Sequence, residues 1–274
     1  MKLTIITINF NNASGLKKTM ESVLAQTSDD FEYIVVDGGS TDSSCKVIID
    51  KCLLINGETG FNGIQVTCIS EPDTGIYNAM NKGIRMAKGE YCQFLNSGDC
   101  LVAKDVTEKM LKALPDNCNI FYGNMLKQMP KGKIRRDTCE EGNITMLTFY
   151  KGSLNHSPAL IKHSLFDQYG LYDETLKIVS DWKWYLNVIG IHNEPVQYIN
   201  MDITLFDMTG ISSVNSELDK QERRKVLQEL LPASVVIDYE RWAFSIDQQK
   251  RINRYWITRN GFWLIERVLF KCEK

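Results

Sequence analysis

Asp and Asn side chains follow four short apolar runs of the chain, and their types and positions suit the binding of a charged ligand. These polar stretches are residues 9–12, 37–42, 71–73 and 96–99. Asp99 follows an apolar run at a turn that Gly98 permits, and Asp37 ends another such run. Mg²⁺ and Mn²⁺ prefer oxygen ligands, and either cation neutralises a diphosphate that protein acids alone would repel. The pattern predicts a divalent cation at Asp99 with a phosphate-bearing ligand.

A second interpretation of the same acids is structural. Asp37 and Asp99 could each cap a turn or a helix, which is a common role for Asp after a strand. The further acids in Glu71-Pro72-Asp73 favour a ligand site. In that site the Asp37 carboxylate could accept hydrogen bonds from a base or a ribose.

The hydrophobic pattern predicts the elements that would bring these stretches together. Apolar runs at 3–8, 31–36, 64–69, 91–95 and 119–122 predict strands. Segments with helical spacing lie between them, and Ser14 is the expected N-cap of the first helix. Alternating strands and helices predict an α/β fold whose mostly parallel sheet has helices on both faces. Ligands bind such sheets beyond the carboxyl ends of the strands. Neither G-x-G-x-x-G nor G-x-x-x-x-G-K-[ST] is present, which disfavours a dinucleotide-binding fold or a P-loop enzyme.

The composition excludes several other classes of protein. Of 274 residues 43% are hydrophobic and 10% aromatic, so a folded core is expected and a disordered chain is excluded. A net charge of -2 argues against a nucleic-acid binder. No apolar run approaches the roughly 18 residues of a spanning helix, and the apolar N-terminal stretch predicts a buried strand, not a signal peptide. Eight cysteines without a C-x-x-C pair are interpreted as reduced thiols of a cytosolic protein.

The C-terminal part of the chain is basic and aromatic. Residues 241–274 hold eight Lys or Arg and three acids, a charge of +5, whereas residues 1–240 carry -7. Residues 216–231 and 239–270 have the pattern of amphipathic helices, and Trp242, Phe244, Trp256 and Trp263 alternate with the basic residues. A basic helix with aromatic residues is typical of membrane-surface binding. The alternative is a helix pair that packs on the catalytic domain or on a partner subunit.

Three blocks of the sequence, residues 3–44, 70–99 and 156–186, resemble glycosyltransferase family 2. The first contains TIITINFNNASG and VVDGGSTDSS, and the second contains SEPDTGIYNAMNKG and FLNSGD. The resemblance spans roughly residues 3–212 and implies a GT-A fold that transfers a sugar from a nucleotide donor with inversion. It implies a catalytic domain at 1–215, with a nucleotide-sugar-binding half at 1–100 and an acceptor half at 101–215. A C-terminal helical extension would occupy 216–274.

The resemblance also implies roles for individual residues. The donor-binding residues would be Thr7, Asn9, Phe10, Asp37, Asp73, Asn96 and His156, with Asp37 on the base and Asp73 beside the nucleotide. His156 matches a family histidine that contacts diphosphate or acceptor, although a single histidine is often only a packed, hydrogen-bonded side chain. Asp99 matches the metal-binding end of the D-x-D motif. Gly210-Ile211-Ser212 resembles a loop that folds over the donor.

The D-x-D motif departs from the family pattern. Many relatives carry acids at the positions of Asn96 and Gly98, and this chain keeps only Asp99. One carboxylate, the diphosphate oxygens and waters can still hold Mg²⁺ or Mn²⁺, with weaker affinity when the donor is absent. A metal-independent reaction is the alternative.

Asp181 is the residue that the resemblance assigns as the catalytic base. Inverting transfer is an in-line displacement by an acceptor hydroxyl, whose proton a general base must take. Asp181 begins the segment Asp181-Trp182-Lys183-Trp184, which predicts a carboxylate at a helix start beside aromatic faces suited to a sugar. The alternative is that Asp181 only complements the helix dipole while the tryptophans lie in the core.

Taken together, these features predict an inverting glycosyltransferase of bacterial surface polysaccharide biosynthesis. The expected donor is a UDP-sugar, and the expected acceptor is a glycan or a polyprenyl-diphosphate-linked sugar. The expected location is the cytoplasm, with peripheral contact at the inner face of the plasma membrane through residues 241–274. Two alternatives are a degenerate nucleotide-sugar-binding scaffold, suggested by the reduced D-x-D motif, and a nucleotidyltransferase. The latter would show a basic, Gly-rich loop near its N-terminus, where this chain is rich in Asn.

Overall fold

The computed structural model describes residues 1–56, 63–129, 132–138, 144–208 and 215–254. Its contacts divide the chain into two compact units, residues 1–223 and 224–274. The predicted loop at Gly210–Ser212 and the tail beyond Arg254 lie outside the described residues.

A central mixed sheet forms the first unit. Its strands are β1 (Leu3–Asn9), β2 (Phe31–Asp37), β3 (Gln65–Ser70), β4 (Tyr91–Phe94), β5 (Cys100–Leu101), β6 (Ile120–Gln128), β7 (Ile134–Asp137), β8 (Ala159–Lys162) and β9 (Val196–Phe206). The strand order is β3-β2-β1-β4-β8-β6-β9-β5, and β7 pairs with β6. Residues 125–128 of β6 pair antiparallel with residues 134–137 of β7.

The N-terminal half of the sheet is parallel, as the sequence predicts. Strand β1 lies between β2 and β4, and β3 extends the sheet beyond β2. Every residue of β1 and β2 is buried, which is why both segments read as continuous apolar runs. In this register Asn9 lies opposite Asp37 and Asp37 lies opposite Ser70. The carboxyl ends of these strands therefore meet at one edge.

The C-terminal half of the sheet is mixed. Strand β8 is antiparallel to β4 and β6, whereas β9 is parallel to β6 and antiparallel to β5. The predicted parallel sheet is thus confined to the first four strands of the order above. Because Cys100 pairs with Leu205, the end of β9 reaches the turn that contains Asp99.

Helices occupy segments between and after these strands. They are α1 (Ala13–Leu24), α2 (Ser44–Asn56), α3 (Ile76–Met86), α4 (Val106–Ala113), α5 (Met146–Lys151), α6 (Ser164–Tyr169) and α7 (Ser180–Tyr185), followed by α8 (Ser216–Leu230) and α9 (Ala233–Arg254). The N-cap of α1 is Asn12, whose Oδ1 accepts from the Gly15 N–H at 3.1 Å, so the prediction of Ser14 was wrong. Ser14 lies inside the first turn, where its side chain cannot cap the helix.

The core of the first unit lies between the sheet and these helices. Leu16, Met20 and Val23 of α1 pack with Leu3 and Ile5 of β1 in one buried cluster. Among the described residues no helix is long and apolar enough to cross a membrane. Five described cysteines, Cys45, Cys68, Cys92, Cys100 and Cys118, are free thiols.

Candidate functional site

A cleft of about 1020 Å³ opens beyond the carboxyl ends of β1 and β4. It brings together seven residues that the sequence predicts for the site, namely Asn9, Phe10, Asp73, Asn96, Asp99, His156 and Asp181. Residues from β9 and α8 also line it, among them Asp207, Asp219 and Arg223. Thr7 and Asp37 do not line the cleft. Most of the residues that the strand-end rule and the resemblance select therefore line one cleft, and the rule did not predict the residues from β9 and α8.

Asp37 is fully buried beneath the cleft. Its Oδ1 accepts from Asn9 Nδ2 at 2.7 Å and from the Ser40 hydroxyl at 2.6 Å. Its Oδ2 accepts from the Ser40 N–H at 3.0 Å and from the Ser70 hydroxyl at 2.7 Å. Burial alone would raise the pKa of Asp37, but these hydrogen bonds outweigh it and lower the pKa. Instead of the expected contact with a base, Asp37 joins three strand ends, and it would have to exchange a partner to reach a ligand.

The end of β1 supplies both buried and exposed residues. Thr7 is buried and accepts a hydrogen bond from the Tyr33 hydroxyl at 2.9 Å, so it supports the strand and does not line the cleft. Asn9 is only 4% exposed, and its Oδ1 has no hydrogen-bond partner among the described residues. Phe10 is 62% exposed. Asn9 therefore offers an acceptor and Phe10 an aromatic face to a ligand.

Asp73 lies on the wall opposite β1, after β3. Its Oδ1 accepts from the Gly75 N–H at 3.0 Å, and burial raises its pKa. A Cβ at residue 38 would collide with the Asp73 carboxylate, so Gly38 is needed for this close approach. A glycine is therefore required at position 38 of the D-G-G-S segment for a steric reason.

Asp181 lies in the first turn of α7 and is half-buried. The Tyr77 hydroxyl is 2.8 Å from Asp181 Oδ1 and 2.5 Å from the Ile178 carbonyl oxygen. Burial raises the pKa of Tyr77 well above 10, so this phenol stays protonated and donates. The arrangement fixes one oxygen of the carboxylate from a neighbouring helix.

The two tryptophans after Asp181 are buried. Trp182 donates from Nε1 to the Phe149 carbonyl at 2.9 Å, and Trp184 donates to the Gly170 carbonyl at 2.8 Å. Of the two, only Trp182 reaches the cleft. The structure therefore agrees with the alternative interpretation that both tryptophans belong mainly to the core, because each indole N–H needs a buried acceptor there.

His156 is held within an aromatic cluster. Its ring stacks on Phe94 with centroids 4.7 Å apart, and its Nε2 lies 2.8 Å from the Tyr172 hydroxyl. Burial lowers the pKa of His156, so the imidazole is neutral at pH 7. A neutral ring on the cleft wall can exchange a hydrogen bond with a ligand without adding charge.

The acidic end of the cleft contains two carboxylates. Asp99 is 2% exposed, and burial, together with the charge of Asp207, raises the pKa of Asp99 to about 7. Its Oδ1 accepts from the Asp207 N–H at 2.9 Å. A Cβ at residue 98 would collide with the Asp207 carboxylate, and Gly98 has a φ of +113°. Gly98 therefore makes the space that Asp207 occupies.

Comparison with known proteins identifies the family. The model of "Glycosyl transferase family 2" matches residues 4–172. The chain belongs to glycosyltransferase family 2. An uncharacterized glycosyltransferase of Mycobacterium tuberculosis is 32% identical to it over 218 residues, which is 77% of each chain. A "PGL/p-HBAD biosynthesis glycosyltransferase" of Mycobacterium bovis is 24% identical over 251 residues, covering 87% of this chain and 90% of the relative.

Solved glycosyltransferases share the fold. S. aureus TarS 1-349 in complex with UDP superposes with a TM-score of 0.65 at 17% identity, covering 85% of this chain and 66% of that one. This chain covers 40% of a longer TarS structure. The mannosyltransferase PcManGT of Pyrobaculum calidifontis, in complex with GDP-Man and Mn²⁺, superposes with a TM-score of 0.58 at 13% identity, covering 95% of this chain and 82% of that one. These similarities confirm the predicted GT-A fold.

Oxygen atoms around the reduced D-x-D motif could hold a divalent cation. Asp99 and Asp207 bring two carboxylates together, and the buried Asn96 Oδ1 accepts no hydrogen bond from the described residues. No group of three His, Cys, Asp or Glu side chains suited to a metal occurs in the described part of the chain. Two carboxylates and an amide oxygen fit a cation such as Mg²⁺, which takes its remaining ligands from phosphate and water.

Sequence reasoning missed Asp207. Its only local signal is that it follows the last extended apolar segment of the chain, as Asp99 and Asp37 follow theirs. The predicted strands end at residue 122, so neither β9 nor the acid that follows it is predicted.

Proposed function

We propose that this family 2 glycosyltransferase transfers a sugar from a nucleotide-sugar donor to an acceptor hydroxyl with inversion. One observation carries the proposal. Asp181, held by a protonated Tyr77, lines the same cleft as the Asp99–Asp207 pair. A cleft of about 1020 Å³ matches the upper range of ligand pockets and can hold a nucleotide sugar.

The donor would lie along the strand ends. Asn9, Phe10 and Asp73 offer an acceptor, an aromatic face and a carboxylate to the nucleoside, and His156 offers a neutral imidazole to the diphosphate or acceptor. Asp99, Asp207 and Asn96 would hold Mg²⁺ or Mn²⁺ close to the diphosphate. Such a cation neutralises the phosphates and stabilises the charge that develops on the leaving group.

Asp181 would act as the general base. The acceptor oxygen forms a bond to the anomeric carbon while the bond from that carbon to the donor phosphate oxygen breaks. The hydroxyl proton passes to the Asp181 carboxylate, and the nucleoside diphosphate leaves with the electron pair. Because attack and departure occur on opposite faces, the anomeric configuration inverts. The Tyr77 hydroxyl, which shares its one proton between the Ile178 carbonyl and one Asp181 oxygen, keeps the carboxylate oriented.

A UDP-sugar is the donor we propose, and a glycan or polyprenyl-diphosphate-linked sugar is the acceptor. TarS structures in complex with UDP and UDP-GlcNAc support the donor class. A relative named as a PGL/p-HBAD biosynthesis glycosyltransferase supports a role in a biosynthetic pathway. A thermal-shift screen of nucleoside diphosphates and nucleotide sugars, with and without Mn²⁺, would identify the donor, since ligand at ~100 Kd adds about 2.7 kcal/mol to the free energy of unfolding.

The Asp181→Asn variant tests the proposed mechanism. We expect kcat to fall by ~10²–10⁴-fold, because general-base help is lost, while the Kd of the nucleoside diphosphate stays within about twofold. The measurement is nucleoside diphosphate release with the donor that the screen identifies, and Asp167→Asn, at an exposed site on α6, is the control. Undiminished turnover of Asp181→Asn would refute the base assignment. A wild type that binds donors but turns none over would favour the scaffold alternative.

A further inference from the structure

Glu222 of α8 makes three hydrogen bonds to consecutive backbone N–H groups. Glu222 as a whole residue is only 8% exposed. Oε1 accepts from the Lys177 N–H at 2.8 Å, and Oε2 accepts from the N–H groups of Ile178 at 3.0 Å and Val179 at 3.3 Å. A buried carboxylate that satisfies three main-chain donors fixes the path of that segment.

The segment that Glu222 holds leads directly into α7. Val179 is the N-cap of this helix and provides no side-chain cap of its own. Asp181 is the second residue of the helix, only two residues after the last N–H that Glu222 binds. On the other side of the segment, the Tyr77 hydroxyl lies 2.5 Å from the Ile178 carbonyl oxygen. The strand-end prediction gave no reason to inspect Glu222, which lies 41 positions after Asp181 in the sequence.

The next residue of α8 contacts the chain on the far side of Asp181. The Arg223 guanidinium lies over the Trp182 ring, 4.5 Å from its centroid. Arg223 also donates to the Gly152 carbonyl at 2.9 Å and to Asp219 Oδ1 at 2.9 Å. Consecutive residues of α8 therefore contact residues 177–179, shortly before Asp181, and Trp182, directly after it.

We propose that Glu222 is a positioning residue that holds Asp181 in the geometry needed for proton abstraction. The inference rests on the proposed function, in which Asp181 is the base. It also implies that the start of α8, assigned from sequence to a C-terminal extension, is part of the catalytic apparatus. Misplacement of a reacting group by about 1 Å can cost ~100-fold in rate, so a small shift of residues 177–181 is sufficient to impair catalysis.

The Glu222→Gln variant tests this role with little change in volume. An amide offers one acceptor oxygen and one donor nitrogen, so its NH₂ group would face a backbone N–H. We expect kcat to fall by about 10–100-fold, while KM for the donor and the Kd of the nucleoside diphosphate stay within about twofold. Glu217→Gln is the matched control, because Glu217 lies on the same helix with its side chain 74% exposed. Glu222→Asp keeps the charge and should retain an intermediate rate.

A double-mutant cycle with Asp181→Asn separates positioning from general destabilisation. If Glu222 acts through Asp181, the double variant is no slower than Asp181→Asn alone. If the rate losses of the two single variants multiply in the double variant, the proposal is overturned. Unchanged kcat in Glu222→Gln would overturn it as well.

Hydrogen exchange provides a readout that needs no substrate. In Glu222→Gln the amides of residues 177–179 should exchange faster than in the wild type and in Glu217→Gln. Unchanged exchange there would contradict the inference even if turnover fell. The proposed function is tested separately, because full activity of Asp181→Asn would show that Asp181 is not the base.

Discussion

Gly98 and Asp207 illustrate how single residues far apart in sequence build one end of the cleft. A glycine at position 98 has no side chain, and the Asp207 carboxylate lies where its Cβ would be. The Asp207 N–H also bonds to Asp99 Oδ1 across 108 positions of sequence. Asp207, which follows β9, therefore lies beside position 98 of the motif, where many relatives carry an acid.

The Asp207→Asn variant should weaken cation binding. We expect the affinity for Mn²⁺, measured by calorimetry in the presence of UDP, to fall by about 10–100-fold, as for other losses of groups around a metal site. Asp202→Asn is the control, because Asp202 lies on the same strand and pairs with Arg136 away from the cleft. Equal Mn²⁺ affinity in Asp207→Asn and the wild type would show that Asp99 holds the cation without it.

At the scale of the element, α7 depends on contacts from outside the helix. Its six residues continue directly into a π-helical segment, Leu186–Ile191, and a helix of about 12 residues is still only marginally stable in water when isolated. Glu222 holds the segment before it, Tyr77 contacts its first turn, and Lys183 in its last turn pairs with Asp173 at 2.9 Å. The orientation of Asp181 is therefore set by three tertiary contacts and not by helix propensity.

The Asp173–Lys183 pair predicts a pH-dependent stability. Burial opposes ionisation of Asp173, but hydrogen bonds from Thr175 and Lys183 outweigh it and lower its pKa to about 2. The ordinary value of 3.8 applies to the unfolded chain, so the pair contributes about 2 kcal/mol above pH 4. That contribution declines as the pH falls from about 4 towards 2, because the unfolded chain then takes up the proton first.

The Asp173→Asn variant measures this contribution. In urea unfolding at pH 7 we expect its free energy of unfolding to be lower by about 2 kcal/mol than that of the wild type. The difference should shrink at pH 3. Asp167→Asn, at an exposed position of α6, should show no such difference at either pH. A gap that is constant with pH would mean that packing, and not the charge, is responsible.

At the scale of the whole molecule, the net charge of -2 conceals a division into an acidic body and a basic tail. The described part of the tail is one helix, α9, which begins at Ala233, earlier than the predicted residue 239. Trp242 and Phe244 are 64% and 66% exposed, but two residues along a helix are about 200° apart. Trp242 and Phe244 therefore lie on opposite faces of α9, and the membrane-surface interpretation stays a prediction for the tail as a whole.

Vesicle binding tests that prediction on the full chain. Each Lys or Arg near an anionic leaflet contributes ~1 kcal/mol, so the Arg241→Gln/Arg251→Gln double variant should bind phosphatidylserine vesicles about 30-fold more weakly. Lys109→Gln/Lys112→Gln on α4 removes the same charge elsewhere and should bind as the wild type does. Co-sedimentation gives both affinities. No binding by the wild type, or equal binding by all three proteins, would favour a tail that packs on protein.

The sequence by itself determined the parallel strands, the edge of the sheet that carries the site, and the family. Hydrophobic periodicity is local, and strand ends of a parallel sheet necessarily meet at one edge, so Asn9, Asp73 and Asp99 could be placed together without coordinates. The family blocks added His156 and Asp181. Each of these inferences uses residues that are close in sequence or a rule of topology.

Only the tertiary structure shows that Asp37 is held by protein partners, that Asp207 lies beside Asp99, and that Glu222 binds the segment before α7. The orientation of Asp37 depends on Asn9 and Ser70, which lie 28 and 33 positions away. Asp207 reaches Asp99 through the antiparallel pairing of β9 with β5, and Glu222 reaches Ile178 across 44 positions. Hydrogen bonds between distant segments follow from how the chain packs, and no local pattern of residues encodes that packing.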